Sequence, residues 1–153
     1  MTTNELYLKT FFCCIACDEE IAPEEVDLTK QICIASDLFG ELDVEKHLNL
    51  WIQEINEKGQ SFLRNYLSEL AEAELSEEEQ MTIIDLALKA IEADNRIEYA
   101  EVKFFKKIRI RLPVSDEIIL SKYPDKEDFL LPDNNVYDDP VWDKNTQFSE
   151  IKL

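Results

Sequence analysis

Apolar residues recur every three or four positions along most of the chain, the period of an α-helix with one buried face. In residues 5–17 these positions are Leu6, Leu8, Phe11, Phe12 and Ile15. In the next segment they are Val26, Leu28, Ile32 and Ile34. The pattern predicts helices over about 5–17, 23–36, 42–58, 61–72, the stretch behind Ser76 that carries Met81 to Ile91, 98–111 and 115–122. We therefore expect an all-α fold, a compact domain of about six to eight helices.

Local signals place several helix ends. Pro23 suits a first helical position, where its missing N–H costs no hydrogen bond. Gly59 follows an amphipathic stretch and is typical of a helix C-terminal cap. Ser76 and Glu79 have the spacing of a capping box, in which each side chain satisfies a backbone N–H of the other residue. The few glycines and prolines before residue 123 also favour helix.

The pattern changes at Tyr123. Residues 123–153 hold three of the five prolines and many acids, without a sustained helical period. This segment nevertheless keeps large apolar residues, which disordered tails mostly lack: Phe129, Leu130, Leu131, Tyr137, Trp142 and Phe148. We divide the chain into a helical domain, 1–122, and an irregular, acidic C-terminal extension, 123–153. The extension either packs back over the helices, which we favour because aromatic side chains seek the nearest apolar surface, or docks into a partner.

The charge narrows the possible partners. The chain has 153 residues, 34 of them acidic and 16 basic, for a net charge of −18. Such a surface repels nucleic acid and anionic membranes, and it suits divalent cations or a basic partner protein. No apolar run is long enough to span a bilayer, and no basic and apolar leader opens the chain. We therefore expect a cytoplasmic protein with no membrane insertion and no direct contact with nucleic acid.

Three of the four cysteines lie in the stretch CCIAC, residues 13–17, where Cys14 and Cys17 form a Cys-x-x-Cys pair. A structural zinc site needs about four ligands, and the remaining candidates, Cys33 and His47, lie on other predicted helices. Reactive thiols want electropositive surroundings, whereas acids follow Cys17 directly. We therefore interpret these cysteines as small core residues.

An internal repeat supports that interpretation. Residues 12–34 align with residues 88–110 without a gap, and eight of the 23 positions are identical. Cys14 aligns with Ala90, and Cys17 aligns with Ala93, so these positions require a small side chain. Each copy reads as a helix, a tight turn that begins with Asp, and a second helix. The repeat predicts two pseudo-symmetric helical hairpins.

The two turns share the pattern Asp-x-x-Ile-x-x-x-Glu-Val: Asp18, Ile21, Glu25 and Val26 in the first copy, and Asp94, Ile97, Glu101 and Val102 in the second. The isoleucines and valines can anchor the turn to the core. On residue chemistry alone, helix capping by Asp and Glu is the favoured role of the acids.

A cation site is the alternative role, because hard cations prefer several carboxylate oxygens. The first turn offers Asp18, Glu20, Glu24 and Glu25, and the second offers Asp94, Glu98 and Glu101. The loop does not fit an EF-hand, which needs glycine where this chain has Tyr99. A cation would therefore draw on both hairpins.

The stretches CIACDEEIAPEEVDLTKQI and SEEEQMTIIDLALKAIEADNRIEYAEVKFFKKI resemble the TerB-like domains of the tellurite-resistance group over about residues 5–120. Those domains often carry an Ala-Asp-Gly-x-Ile-x-x-x-Glu turn in two copies. Asn95 stands at the glycine position of the second turn, and Glu19 at that of the first. Since Glu is less suited than Gly to positive φ, we expect a differently shaped first turn.

The resemblance implies an all-helical domain that takes part in bacterial stress-response systems, often within protein complexes. It also implies divalent-cation ligands in the acidic turns, which are Asp18, Glu25, Asp94 and Glu101 here. The expected cation is Ca²⁺, Mg²⁺, Mn²⁺ or Zn²⁺. The resemblance carries over no catalytic activity.

Three functions are thus in competition. The first is a non-enzymatic TerB-like module that binds a divalent cation, a protein partner, or both. The second is an acidic decoy that occupies a basic surface of another protein, as a DNA mimic does. The third, an enzyme, is disfavoured because the sequence has no Gly-rich phosphate loop, nucleophile elbow or helix-borne His-x-x-x-His, and its single histidine, His47, stands alone.

Overall fold

The computed structural model describes residues 2–93, 97–132, 142 and 146–153. These residues form eight helices and no strand: α1 (Thr3–Ala16), α2 (Pro23–Ala35), α3 (Val44–Lys58), α4 (Gln60–Glu72), α5 (Glu77–Glu92), α6 (Tyr99–Ile110), α7 (Asp116–Lys122) and α8 (Glu127–Leu130). The predicted all-α fold is confirmed. None of the helices found in the described residues is long and apolar enough to cross a membrane.

Helix α1 is the centre of the fold. Every residue from Leu6 to Ala16 is buried, because α1 packs extensively against α5 and also contacts α4 and α6. The sequence predicted one buried face for this helix, whereas from Leu6 to Ala16 all of its faces are buried. The two polar residues in this run have partners, as buried polar groups require. Lys9 Nζ lies 3.0 Å from Glu69 Oε1, and the Thr10 hydroxyl lies 2.6 Å from that of Tyr66.

The predicted helix ends are confirmed where the sequence carried a specific signal. Pro23 is the first residue of α2. Gly59 has a φ of 59°, and its N–H donates to the carbonyl of Ile55 at 2.7 Å. Ser76 and Glu79 form the complete capping box: Glu79 N–H donates to Ser76 Oγ at 3.1 Å, and Ser76 N–H donates to Glu79 Oε1 at 2.9 Å.

The helix boundaries follow the internal repeat. The first helices of the two copies end at Ala16 and Glu92, and the second helices begin at Pro23 and Tyr99. Both pairs of boundaries differ by the same 76 residues (16 to 92 and 23 to 99) that separate the aligned segments. The segments that connect the two helices therefore have the same length in both hairpins, while the pseudo-symmetry of the hairpins in space stays a prediction.

Two predicted apolar anchors are wrong. Ile34 was assigned to the apolar face of α2, but it is 86% exposed, and Ile97, expected to anchor the second turn, is 50% exposed. The reason for Ile34 lies in the position of α2. Only Glu25, Thr29 and Ile32 of this helix are buried, so α2 covers the core with a narrow stripe.

The described part of the C-terminal extension packs against the helices. It begins with α8, a single turn that the sequence pattern did not predict, whose Phe129 ring lies 5.8 Å from that of Phe105. Residues 146–153 are non-helical and bury Phe148 and Ile151. Trp142 packs against Phe148 with ring centroids 5.9 Å apart. The favoured packing is thus observed for these residues. Tyr137 lies outside the described residues, and the division into two parts at residue 122 stays a prediction.

Candidate functional site

The turn that joins α1 to α2 lies against the beginning of α6. Helix α1 contacts both α5 and α6, and the thiol of Cys17, at the end of α1, lies 3.9 Å from the carbonyl oxygen of Ala100 in the first turn of α6. The two related hairpins therefore meet at their turns. Asp18 of the first turn is thereby brought close to Glu98, the residue before α6.

The glutamates of the shared pattern, Glu25 and Glu101, are both buried, at 4% and 3% exposure. Each occupies the third position of its helix and reaches back to the residue before the helix. Ala22 N–H donates to Glu25 Oε1 at 2.7 Å, and Glu98 N–H donates to Glu101 Oε1 at 3.4 Å. The predicted capping role is confirmed for both glutamates, since each satisfies an N–H group that the helix leaves unpaired.

Asp18 does not cap the following helix, so this part of the capping interpretation is wrong. Its Oδ1 accepts the N–H of Glu20 within the turn, at 3.3 Å, and α2 begins only at Pro23. Glu19, which lies between Asp18 and Glu20, has a φ of 74°. This is the only positive φ of a non-glycine among the described residues. Glu19 thus adopts the conformation that glycine favours, and the expectation of a differently shaped first turn stays a prediction. The hydrogen bond from the Glu20 N–H to the Asp18 carboxylate spans this strained residue.

The Asp18 carboxyl is half-buried and lies among other acids. Burial is the largest cause of its raised pKa, and the charges of Glu98 and Glu20 raise the pKa further, so that it reaches about 6 instead of 3.8. Glu98 precedes α6, so this repulsion acts between the two hairpins. The second copy's own aspartate, Asp94, lies outside the described residues.

A cleft of about 290 Å³ opens between these acids. Among the described residues its lining consists of five carboxylate side chains, Asp18, Glu20, Glu24, Glu25 and Glu98, together with Ala22 and Pro23. Two of the four predicted cation ligands, Asp18 and Glu25, therefore face one cleft. Glu101 lies close by without lining it. The structure adds Glu98 to the acids of the first turn, where the sequence suggested two separate clusters.

In their present rotamers the described side chains do not form a ready metal site. No group of three His, Cys, Asp or Glu residues within the described part of the chain is arranged to hold a metal ion. Exposed glutamates such as Glu20 can change rotamer at little cost, whereas Glu25 is fixed by its cap. Ligation by Asp18, Glu25, Asp94 and Glu101 stays a prediction.

The cysteine cluster lies in the core. Cys13, Cys14 and Cys17 are buried and unpaired, and Cys33 is exposed. Burial is the main cause that raises the pKa of all three buried thiols, and the charges of Glu25 and Glu101 add to it for Cys14 and Cys17. Thiols held in the protonated form are poor nucleophiles and poor metal ligands. Their positions agree with the interpretation as small core residues.

Two further groups were not identified as sites from the sequence. Arg64, Lys103 and Lys107 line a small pocket between α4 and α6, a concentration of positive charge in an acidic chain. Asn49 and Asn56, on α3, bind the C-terminal residues through their side-chain amides. The available signal was two asparagines seven residues apart beside an apolar stripe. His47 is an ordinary helix residue, with Nδ1 3.0 Å from the carbonyl of Asp43.

The chain matches no protein-family model, no curated protein and no solved structure. The fold and the cleft thus define the protein only as an all-helical protein with an acidic inter-turn cleft. Its resemblance to TerB-like domains stays a prediction that rests on the acidic-turn motif.

Proposed function

We propose that the protein is a non-enzymatic binding module that takes up a divalent cation in the acidic cleft between its two hairpins. The observation that carries this proposal is the convergence of five carboxylate side chains in one concave site of the described residues. Burial raises the pKa of Asp18, and the charges of Glu98 and Glu20 raise it further. A cation bound among them would remove this repulsion.

The ligand chemistry favours Ca²⁺ among the four candidate cations. The cleft offers oxygen ligands alone, whereas Zn²⁺ prefers nitrogen and sulfur. Mg²⁺ demands near-ideal octahedral geometry, but Ca²⁺ accepts six to eight oxygens in flexible arrangements. Flexibility matters because several glutamates must change rotamer. A role in a bacterial stress-response system rests only on the TerB-like resemblance and is part of the proposal, as is the absence of catalysis.

The test is thermal unfolding after EDTA treatment, followed by addition of each cation singly at constant ionic strength. A ligand that binds only the native state stabilises it by about 2.7 kcal/mol at a concentration one hundred times its Kd. We expect a saturable rise in Tm with Ca²⁺ that is lost in Asp18→Asn. The rise should persist in Glu57→Gln, which removes an exposed acid from α3.

Substitutions at Glu25 separate capping from cation binding. Glu25→Gln keeps an oxygen that can accept the Ala22 N–H but removes the charge, so it should weaken the Ca²⁺ response while leaving the metal-free Tm nearly unchanged. Glu25→Ala removes both functions and should lower the metal-free Tm as well. If all four cations raise the Tm of wild type and Asp18→Asn equally and without saturation, they only screen the net charge of −18, and the proposed site is wrong.

A second candidate, an acidic decoy for a basic protein surface, is favoured by another concave acidic site. A cleft of about 320 Å³ near the start of α1 is lined by Glu69, Glu72 and Glu74. A partner's lysine or arginine would fit it by charge. Binding of this kind weakens steeply with salt, so a partner complex that persists at high ionic strength would argue against the decoy.

A further inference from the structure

The C-terminal residues are held on α3 through their backbone. The side-chain amide of Asn56 pairs with both polar backbone groups of Phe148: the Phe148 N–H donates to Oδ1 at 2.8 Å, and Nδ2 donates to the Phe148 carbonyl at 3.1 Å. Asn49 does the same for Ile151, with the N–H donating to Oδ1 at 2.8 Å and Nδ2 donating to the carbonyl at 2.9 Å. Each asparagine therefore binds the two groups that every non-proline residue presents.

The spacing on the two elements matches. Seven residues of an α-helix rise about 10.5 Å, and three residues of extended chain span about 10 Å. Residues 146–153 thus run antiparallel to α3, and beyond Ile151 the N–H of Leu153 donates to Glu45 Oε2 at 3.4 Å. The α3 face has the geometry to bind an extended peptide at two fixed points.

Side-chain selectivity comes from two positions. Phe148 and Ile151 are buried, whereas Gln147, Ser149, Glu150 and Lys152 are exposed. Since the asparagines bind only main-chain atoms, the groove requires two apolar side chains three residues apart and little else. The sequence of residues 146–153, TQFSEIKL, is one of many that meet this requirement.

The chain's own segment fits this groove imperfectly. The indole N–H of Trp142, which packs on Phe148, is buried and has no hydrogen-bond acceptor among the described residues. Beside the segment, between it and the first acidic turn, lies a cavity of about 230 Å³. Glu19, Glu20 and Glu150 all line this cavity, so the segment brings a negative charge to an acidic wall.

From these contacts we infer that the α3 face is a docking groove for an extended segment of a partner protein, and that residues 146–153 occupy it as an intramolecular competitor. The partner segment carries an aromatic and an aliphatic residue three positions apart, as Phe148 and Ile151 are. Between them, where this chain has Glu150, it carries a lysine or arginine that faces Glu19 and Glu20. The inference does not depend on cation binding in the neighbouring cleft.

The test uses the full chain with a weakened competitor. In the variant Phe148→Ala/Ile151→Ala, called the released variant, residues 146–153 should no longer occupy the groove. Binding of a labelled TQFSEIKL peptide to this variant is followed by fluorescence anisotropy. A tethered segment has an effective concentration of about millimolar, so wild type should bind the peptide at least tenfold more weakly than this variant. A peptide with lysine in place of Glu150 should bind more tightly than TQFSEIKL, and its advantage should shrink with salt.

Two variants on α3 test the asparagine contacts. Adding Asn56→Ala to the released variant should weaken peptide binding about tenfold, because two hydrogen bonds are lost. Gln53→Ala, an exposed position on the same helix, should leave binding unchanged. If circular dichroism shows that the double variant is unfolded, the single variant Ile151→Pro takes its place. Proline removes the N–H that donates to Asn49 and replaces the buried isoleucine side chain with a smaller ring.

Three results would overturn the inference. The first is a folded, released variant that does not bind the peptide. The second is equal binding of a control peptide with serine at both apolar positions. The third is a wild-type dimer that dissociates in the released variant, which would make a second copy's C-terminal segment the occupant.

Discussion

Replacement of Asp18 by asparagine should stabilise the metal-free protein at neutral pH. A folded-state pKa of about 6 against an ordinary 3.8 corresponds to an upper bound of about 3 kcal/mol. Asp18 is half-buried, so solvent screening reduces this figure, and we expect a gain of about 1 kcal/mol. Asparagine retains a side-chain oxygen that can accept the Glu20 N–H, so the turn itself is preserved.

The pH dependence identifies the cause of this gain. Because the pKa is raised on folding, the native state binds the Asp18 proton more tightly than the unfolded state does. The destabilisation by Asp18 therefore develops as pH rises from about 4 through 6 and is complete above that range. The advantage of Asp18→Asn should be largest at pH 7.5 and nearly absent at pH 4.

Urea unfolding in EDTA at both pH values measures the change in the free energy of unfolding. In thermal unfolding, a gain of 1 kcal/mol corresponds to a rise of about 2–4 °C in Tm for a chain of this size. Glu57→Gln, which also removes one negative charge, controls for general repulsion and should show a smaller change at pH 7.5. A loss of stability in Asp18→Asn at pH 7.5, or an equal gain at both pH values, would refute the reasoning.

Three further substitutions test other features of the structure. Glu19 has a positive φ and Glu20 does not; Glu19→Gly should therefore be more stable than Glu20→Gly by about 1 kcal/mol in urea unfolding, and the reverse order would contradict the strained turn. Cys33 is the only exposed thiol of the four, so a thiol reagent should titrate one group in the native protein and four after unfolding, and Cys33→Ser should abolish the fast reaction. Phe12→Ala should lower the free energy of unfolding by about 3–5 kcal/mol, because the Phe12 ring is fully buried against Trp51 and Phe62. Ile34→Ala should change it by less than about 0.5 kcal/mol, because Ile34 is exposed. Similar losses in the two variants would contradict the observed exposure of Ile34.

The sequence predicted helices well because their signals are local. The apolar period of each segment, Pro23 at a helix start and the Ser76–Glu79 capping box depend on residues a few positions apart. Burial depends on which helices surround which, and no local pattern carries that information. The burial of α1 from Leu6 to Ala16 and the exposure of Ile34 therefore became visible only in the structure.

The candidate site was partly predictable for the same reason. The repeat identified both acidic turns and the capping glutamates. It did not show that Glu98 shares a cleft with Asp18, because this proximity follows from the packing of α1 against α5 and α6. The asparagines of α3 were missed because their partners, Phe148 and Ile151, lie more than 90 residues away in sequence.

Glu25 and Glu101 show why helix capping and cation binding are not exclusive roles. A carboxylate can accept about four hydrogen bonds, so accepting a backbone N–H does not by itself prevent a glutamate from ligating a cation. Burial of such a charge is costly unless opposite charge or donors compensate it, and the caps provide part of that compensation. The same negative charges raise the pKa of Cys14 and Cys17. A cation bound in the cleft, as we propose, would add to that compensation, and the cap of Glu25 would hold one ligand in place for it.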